Sequence, residues 1–380
     1  MRVAFYPPMK PPTDAVPSGD RRMARLLIAA LGRAGHGVEL ACRFSSRDGT
    51  GDAARQARLA ALGDRLAARL TARLKQRAPD RRPEVWLTYH LYHKAPDHLG
   101  PAVAETLDIP YVVAEASSAA KQAGGPWDLG YRAANRAIAR ADAVLSLNPN
   151  DDAGVVAHLS DANRLVRLYP FADTAPFAAV AGERARHRAT LAARHGLDAA
   201  RPWLVVVAMM RPGDKAESYA VLAAALERLG DRPWHLLVAG DGPAREPILA
   251  ALEAAAPGRT TALGAVDEAD LPALLAAGDV YVWPAVREAF GMALVEAQAA
   301  GLPVVAGAAG GVPAIVRDGA TGLLAPVGDA PALAANVAAL LDDPARRAAL
   351  AAATADWAHT SLDIAGAAAT LDATLARVAR

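Results

Sequence analysis

The chain has 380 residues, too many for one ordinary hydrophobic core and enough for two domains. A net charge of +1 argues against a general nucleic-acid binder, and alanine inflates the 53% of hydrophobic residues; the strongest apolar run, Trp203–Met210, is far too short to span a bilayer. The single cysteine, Cys42, excludes an intramolecular disulfide or a multi-cysteine zinc site and reads as a small buried hydrophobe.

The first ten residues, MRVAFYPPMK, read as a strand stopped by prolines and lack the long apolar segment of a secretory signal, so the expected compartment is the cytoplasm. Strand-like runs follow in order: Arg2–Tyr6, Val38–Arg43, Val85–Tyr89, Tyr111–Ala114, Ala143–Leu147 and Leu165–Leu168. Stretches with helical apolar spacing, such as Arg21–Leu31, lie between most of them. Residues 169–202 read as a linker plus one helix. Alternation resumes with Trp203–Met209, His235–Ala239, Thr260–Leu263, Val280–Trp283 and Val304–Ala306. The pattern predicts an α/β protein of two doubly wound, Rossmann-like parallel-sheet domains, with ligands bound beyond the carboxyl ends of the strands in a cleft between them. The expected division is residues 1–175 and 176–361, the second range including the linker, with a last helix over 362–380 that can pack back on the first domain. Residues 1–180 carry 24 Lys and Arg against 18 Asp and Glu, and residues 181–380 carry 17 against 22, consistent with two domains that have different partners.

Arg55–Arg77 reads as a basic helix with Leu59, Leu62, Leu66, Leu70 and Leu74 in one stripe and Arg58, Arg65, Arg69, Arg73 and Arg77 in another. The favoured reading is a helix docked on the sheet; the alternative is peripheral contact with an anionic inner-membrane surface through residues 55–77.

Two glutamates stand out in "REAFGMALVEAQAAG", residues 287–301. Glu288 precedes a helix expected to start near Phe290 or Gly291, where capping is a sufficient structural reason for an acidic residue. Glu296 is flanked by Val295 and Ala297 on a helix with almost no polar face. Burying a carboxylate without a partner is costly, so it is expected to meet a ligand hydroxyl or a fixed cation unless it reaches solvent at the sheet's edge. On a straight helix the eight residues between them would span about 12 Å. Glycosidase carboxyl pairs sit about 5–9.5 Å apart, so two contacts along an extended ligand fit better.

Glu288, seven residues and Glu296, inside "EAFGMALVEAQAAGLPVVA", with "DLPALLAAGDVYVWPA" before and "GGVPAIVRDGATGLLAPVGD" after, resemble the E-x7-E region of retaining nucleotide-sugar glycosyltransferases of family 4, with the GT-B fold. The resemblance implies that Glu288 contacts the donor sugar's hydroxyls and Glu296 the nucleotide ribose. It implies that the backbone of Ala289, Phe290, Gly291, Met292 and Ala293 faces the sugar and phosphates, as a helix N-terminus would favour. The family's Arg and Lys after the first strand of this domain correspond to Arg211 and Lys215 in "MMRPGDKAESY", which stand closer together than usual. Arg grips two phosphate oxygens at once and Lys supplies a compact charge against the departing diphosphate. "GDGP", with Gly242, resembles a turn lining the donor site, and Gly264–Val266 resembles the segment that frames the base.

In the first half, Ser18-Gly19-Asp20 resembles the family's phosphate-approaching loop, with Gly19 keeping the contact and an N-cap as the plainer reading of Ser18 and Asp20. "LTYHLYHKAPDH" holds His90, His93 and His98. His90 and His93 could share a helical face, but the usual metal-ligand companions are missing and there is no D-x-D triplet, so no metal is expected. Tyr89 and His90 read as acceptor-side contacts, against ordinary packing. Where relatives carry a histidine after a "PYVV" strand, this chain has Glu115, which could orient or deprotonate an acceptor hydroxyl.

The expectation is therefore a glycosyltransferase moving a sugar from a nucleoside diphosphate sugar to an unidentified acceptor hydroxyl, with retention and without metal or other cofactor, in bacterial glycan, glycolipid or glycoside synthesis. The alternatives are a nucleotide-sugar epimerase or hydrolase and a non-catalytic nucleotide-sugar or glycan-binding scaffold.

Overall fold

The structure, a computed structural model, describes residues 1–15 and 18–379. Val16, Pro17 and Arg380, the last at the end of the expected final helix, lie outside the described residues. The chain divides into two compact units: Met1–Tyr169 with Ile364–Arg380, and Pro170–Asp363.

Unit 1 holds strands β1 (Arg2–Tyr6), β2 (Gly37–Leu40), β3 (Val85–Leu91), β4 (Tyr111–Ala116), β5 (Ala143–Ser146) and β6 (Leu165–Arg167), in the order β2-β1-β3-β4-β5-β6. Unit 2 holds β7 (Trp203–Val207), β8 (His235–Ala239), β9 (Thr260–Gly264), β10 (Val280–Trp283), β11 (Val304–Gly307) and β12 (Gly322–Ala325), in the order β12-β11-β10-β7-β8-β9. Every pairing is parallel. Helices cover both faces of such sheets, which is why β5, β10 and β11 are buried at every residue and read as unbroken apolar runs. The expected doubly wound sheets are present.

Strand β12 escapes sequence reading because it is four residues long and opens with glycine. Only glycine fits there: a Cβ at Gly322 would lie 2.3 Å from the Val304 carbonyl oxygen of the neighbouring strand. Residues 169–202 also differ from the expected linker with one helix. They carry two helices, Ala175–Val180 and Arg184–His195. Arg184 and Arg188 of the second reach Asp279 at 2.8 and 2.9 Å, and the Arg188 guanidinium lies 4.0 Å from the centre of the Trp203 ring. Asp279 also accepts from the Trp203 N–H at 2.7 Å, so this arginine-rich helix is locked to unit 2 through a carboxylate at the start of β10.

The first chain crossing falls between Tyr169 and Pro170 rather than after residue 175. Beyond it, Ala172 N–H donates to the Leu362 carbonyl at 3.0 Å and Thr174 Oγ1 donates to Asp363 at 2.6 Å, which draws residues 170–175 into unit 2. The last helix, Ile364–Val378, packs on Gly19–Arg33 within unit 1, where Asp372 meets His36 at 3.2 Å and Arg377 donates to the Asn163 carbonyl. The basic helix is Ala53–Lys75; it buries Gly63, Ala67, Leu70 and Leu74 and leaves Arg58, Arg65, Arg69 and Arg73 exposed. Leu59 and Leu66 are half-buried and Leu62 is exposed, so the docked face is rotated from the leucine stripe toward small residues that allow close approach.

A buried carboxylate organises the middle of the first sheet. Asp97 accepts from Thr88 Oγ1 at 2.5 Å, Tyr111 Oη at 3.0 Å and the N–H groups of Leu99 and Gly100 at 2.7 Å, while Trp86 Nε1 donates to Thr88. Burial pushes the Asp97 carboxyl above its usual range even though these hydrogen bonds pull it down. Asp97→Ala would strand several buried donors and is expected to cost about 3 kcal/mol, with Asp97→Asn milder. Urea unfolding checks this; an unchanged midpoint for the alanine variant would remove Asp97 from the load on this sheet.

Candidate functional site

In unit 2 the polar groups gather at the carboxyl ends of β7, β8 and β10. Lys215 lies in the first turn of the helix Asp214–Glu227, rather than in the loop before it, and that helix starts from Gly213 at φ 83°. Its Nζ donates to Glu288 Oε2 at 2.7 Å, and Trp283 Nε1 donates to the same oxygen at 3.2 Å. The ammonium lies 5.0 Å from the centre of the Trp283 ring, which packs edge-on against Tyr219 at 5.2 Å. Ser218 Oγ accepts from Val286 N–H at 3.1 Å, and Arg287 pairs with Asp214 at 2.9 Å. Three contacts thus sew the start of this helix to the loop after β10.

That loop is held from its other side by backbone alone. A Cβ at Gly307 would fall 1.9 Å from the Pro284 carbonyl oxygen, and one at Gly310 would fall 1.9 Å from that of Glu288. Gly311 N–H donates to the Ala289 carbonyl at 3.0 Å. Gly310, at φ 53°, therefore meets both a conformational and a steric demand for glycine.

The helix carrying Glu296 is Met292–Ala299, with Gly291 as its N-cap at φ 71° and no side-chain cap. It starts one or two residues later than expected. Glu288 lies outside it and does not cap it, so the straight-helix span of about 12 Å does not describe the two glutamates. Glu296 is 1% exposed and does not reach solvent at the sheet's edge. The charges of Glu288 and Glu296 both bear on Tyr281, whose hydroxyl donates to the Val207 carbonyl and is pushed up first of all by burial.

Arg211 is exposed and makes no side-chain hydrogen bond or ion pair with a described residue. The turn with Gly242 is tied to the Arg211 loop. Met210 N–H donates to the Asp241 carbonyl and Ala244 N–H to that of Met210, both at 2.9 Å, and a Cβ at Gly242 would lie 2.3 Å from the Met210 carbonyl oxygen. Val266 is half-buried just after β9, whose last residue, Gly264, accepts from Gly240 N–H at 2.7 Å.

In unit 1 a second cluster forms at the same edge of its sheet. Gly19 is the first residue of its helix, and Ser18 is the N-cap, accepting from Arg21 N–H. Asp20 turns to His90 at the end of β3, Oδ1 to Nδ1 at 3.1 Å, and Glu115 at the end of β4 lies 3.6 Å from the same nitrogen. The ring is turned so that neither contact is a well-aligned hydrogen bond. His90 and His93 do not share a helical face, because His90 belongs to a strand and His93 to the turn beyond it. His90 and Glu115 both hold positive φ, 64° and 62°, which is strained for side chains of this size. Burial pushes the Glu115 carboxyl up to about 7, partly offset by His90. Burial disfavours the His90 imidazolium, but the Glu115 charge and the Asp20 contact outweigh it and hold its pKa at about 8. Tyr89, 1% exposed, has its hydroxyl beside Glu115. Among the described residues no group of three or more His, Cys, Asp or Glu is arranged to hold a metal ion.

Sequence reasoning missed Trp283 as a holder of Glu288, and Asp20 and Asp151 as neighbours of His90. Asp20 and Asp151 stand far from His90 in the chain, and Trp283 is only five residues from Glu288 but reaches it across the loop after β10, so neither apolar spacing nor turn chemistry encodes these pairings.

Residues 201–343 match the family Glycosyl transferases group 1. The chain is 35% identical to the alpha-D-kanosaminyltransferase of Streptomyces kanamyceticus over 47% of each chain. It is 33% identical to the 2-deoxystreptamine glucosyltransferase of the same organism over 58% of this chain and 57% of that one. It spans about half the length of the curated relatives it matches. Among solved structures, HepE of Anabaena in complex with UDP aligns over 99% of this chain and 100% of that one, with a TM-score of 0.74 and 18% identity. The fold is that of GT-B glycosyltransferases. The family match runs through the whole frame that holds Lys215, Glu288 and Glu296, so this part of the chain is similar to the group 1 glycosyl transferases.

Proposed function

We propose that the chain is a retaining glycosyltransferase that moves a sugar from a nucleoside diphosphate donor to an acceptor hydroxyl. The observation that carries this reading is the Lys215–Glu288 pair at 2.7 Å, held over Trp283 beside the helix that buries Glu296. Lys215 is a fixed cation for the diphosphate, and Arg211, exposed at the loop's rim, is the second. Glu288 accepts from the donor sugar's hydroxyls and Glu296 from the ribose. The N–H groups from Ala289 to Ala293 and the backbone at Gly242 and Val266 frame the phosphates and the base. The UDP bound by HepE and the transferase names of the Streptomyces relatives support a nucleotide sugar as donor.

As the bond from the anomeric carbon to the phosphate oxygen breaks, negative charge gathers on the diphosphate, where Lys215 and the helix N-terminus stabilise it. The acceptor oxygen then bonds to the same face of the anomeric carbon, and its proton goes to the departing phosphate. This scheme uses neither metal nor other cofactor. Gly19 is a contact for the donor's phosphates, and Tyr89, His90 and Glu115, also residues of unit 1, form the acceptor side. The finer reading of location is the cytoplasm, where the exposed arginines of Ala53–Lys75 are the face available to an anionic membrane surface; no helix among the described residues is long and apolar enough to cross a membrane.

A thermal-shift series with UDP, ADP, GDP and dTDP sugars tests the donor. A ligand at a hundred times its Kd stabilises by about 2.7 kcal/mol, a shift of several degrees, and no shift with any of them would overturn the donor site. In an acceptor assay, Lys215→Ala is expected to lower kcat by about 100-fold or more, as when a transition-state donor is removed. Free sugar or an epimer formed rapidly without acceptor would replace transfer by hydrolysis or epimerisation. Glu296→Ala should weaken binding of the free nucleotide by about tenfold. Equal affinity in calorimetry would remove Glu296 from the ribose.

A further inference from the structure

Trp283 closes β10, is 3% exposed, and is gripped by two residues one turn apart on the helix Asp214–Glu227. Lys215 sets its ammonium 5.0 Å from the ring centre, and Tyr219 packs edge-on at 5.2 Å. Tyr219 is itself fixed, since its hydroxyl donates to the Ala208 carbonyl at 3.0 Å. Trp127, Trp203 and Trp357 donate their indole N–H groups to backbone carbonyls, whereas Trp283 donates to the side chain of Glu288.

Both donors to the Glu288 carboxylate go to one oxygen. Lys215 Nζ lies 2.7 Å from Oε2 and Trp283 Nε1 lies 3.2 Å from it, while Oε1 accepts from no described residue. A carboxylate oxygen offers two lone pairs, so two donors fill Oε2 and Oε1 keeps both of its own. The Glu288 side chain retains 17% of its surface, so it is not sealed from a ligand. Lys215 by itself is a compact charge on a flexible stem and does not choose between the two oxygens. The indole does choose, because it is a single N–H on a rigid ring held from two sides. It fixes the last torsion of Glu288, which is otherwise broad in glutamate.

We propose that Trp283 is a positioning residue that divides the Glu288 carboxylate into a held oxygen, Oε2, and a reading oxygen, Oε1, so that the donor sugar is recognised through Oε1 alone. The proposal rests on the donor-site reading of Lys215 and Glu288 and specifies how that site works. Two oxygens of one carboxylate can grip two neighbouring hydroxyls side by side. Here Oε2 is filled, so the sugar's hydroxyls meet a single acceptor atom at a fixed place. Lys215 shares Oε2 with the indole and spends one of its three donors there, which leaves two for the diphosphate. Trp283 therefore acts on the sugar through Glu288 and leaves the nucleotide's contacts to other groups.

Calorimetry on the full chain tests this by comparing UDP with UDP-glucose, ADP with ADP-glucose, GDP with GDP-mannose and dTDP with dTDP-glucose. Within each pair, the ratio of dissociation constants reads the sugar's contact apart from the nucleotide's. Trp283→Phe keeps a ring beneath Lys215 and removes the N–H. It is expected to shift the ratio of the pair that binds by about fivefold or more against the sugar nucleotide, with the nucleotide's own Kd unchanged. In a Glu288→Ala background the same substitution should add nothing, because its effect passes through that carboxylate. An unmoved ratio, an equal loss for nucleotide and sugar nucleotide, or an undiminished loss in the Glu288→Ala background would overturn the proposal. Should Trp283→Phe fail to fold, 3-benzothienylalanine at position 283, which keeps the bicyclic shape with sulfur in place of the N–H, is held to the same outcomes. Wild-type protein that binds none of these ligands would overturn the donor site and this proposal with it. Wild-type binding with an unmoved ratio in the variant would overturn this proposal alone.

Discussion

Much of unit 2's site depends on one half-buried ion pair. Lys215 and Glu288 come from chain segments that meet only because β7 and β10 are neighbours in the sheet. Each brings its own element: the helix Asp214–Glu227 with Lys215, the loop after β10 with Glu288. A partly desolvated pair of this kind adds little to net stability, because the attraction is set against the cost of leaving water. It does fix geometry. Trp283 gives the pair an aromatic floor and a second donor to the same carboxylate oxygen, and Ser218 and Arg287 hold the two segments in register around it.

The glycines are the other half of that constraint. Gly307, Gly310 and Gly311 let the strand β11 exit pass against the loop at distances no side chain allows, so the Glu288 segment is clamped between backbone and the ion pair. With its main chain held on both sides, the helix start at Gly291 presents its N–H groups from a fixed place. Donors that are already aimed need not be reordered when charge develops on a ligand, and that is what makes them effective.

The sheets were legible because their strands are buried on both faces and therefore spell themselves as apolar runs, as in Trp203–Val207. β12 was not, because its first residue is a glycine demanded by a neighbour eighteen positions away in sequence. Residues 169–202 were legible as a linker with one helix but not as two helices, and the docking of Arg184 and Arg188 on Asp279 was not legible at all, because it joins residues some ninety positions apart. The glutamate pair was legible as a pair and as a motif, and the burial of Glu296 followed from its apolar neighbours. Its geometry was not, since Gly291 at positive φ breaks the helix between the two residues. His90 and Glu115 illustrate the same divide: each stands at a strand end that apolar spacing marks, but their strained φ values and their contact with Asp20 arise only when the sheet assembles.

The charge asymmetry between the two halves of the chain does not follow from the side chains gathered at the two sheet edges. The first 180 residues are net basic, yet the site at the edge of their sheet gathers Asp20, Glu115 and Asp151 around one histidine. Its arginines are spent elsewhere, on the outer face of Ala53–Lys75 and in pairs such as Arg77 with Glu39. The remaining 200 residues are net acidic, yet the carboxylates Glu288 and Glu296 at their sheet's edge stand with Lys215, Arg211 and a helix N-terminus. Net charge follows the exposed surface, where most charged residues lie and where solvent screens them. A site's polarity is set instead by a few side chains withdrawn from water, where each charge acts at short range and low screening. Composition can therefore say that two domains differ, and only the assembled strand ends say which charged side chains each of them gathers.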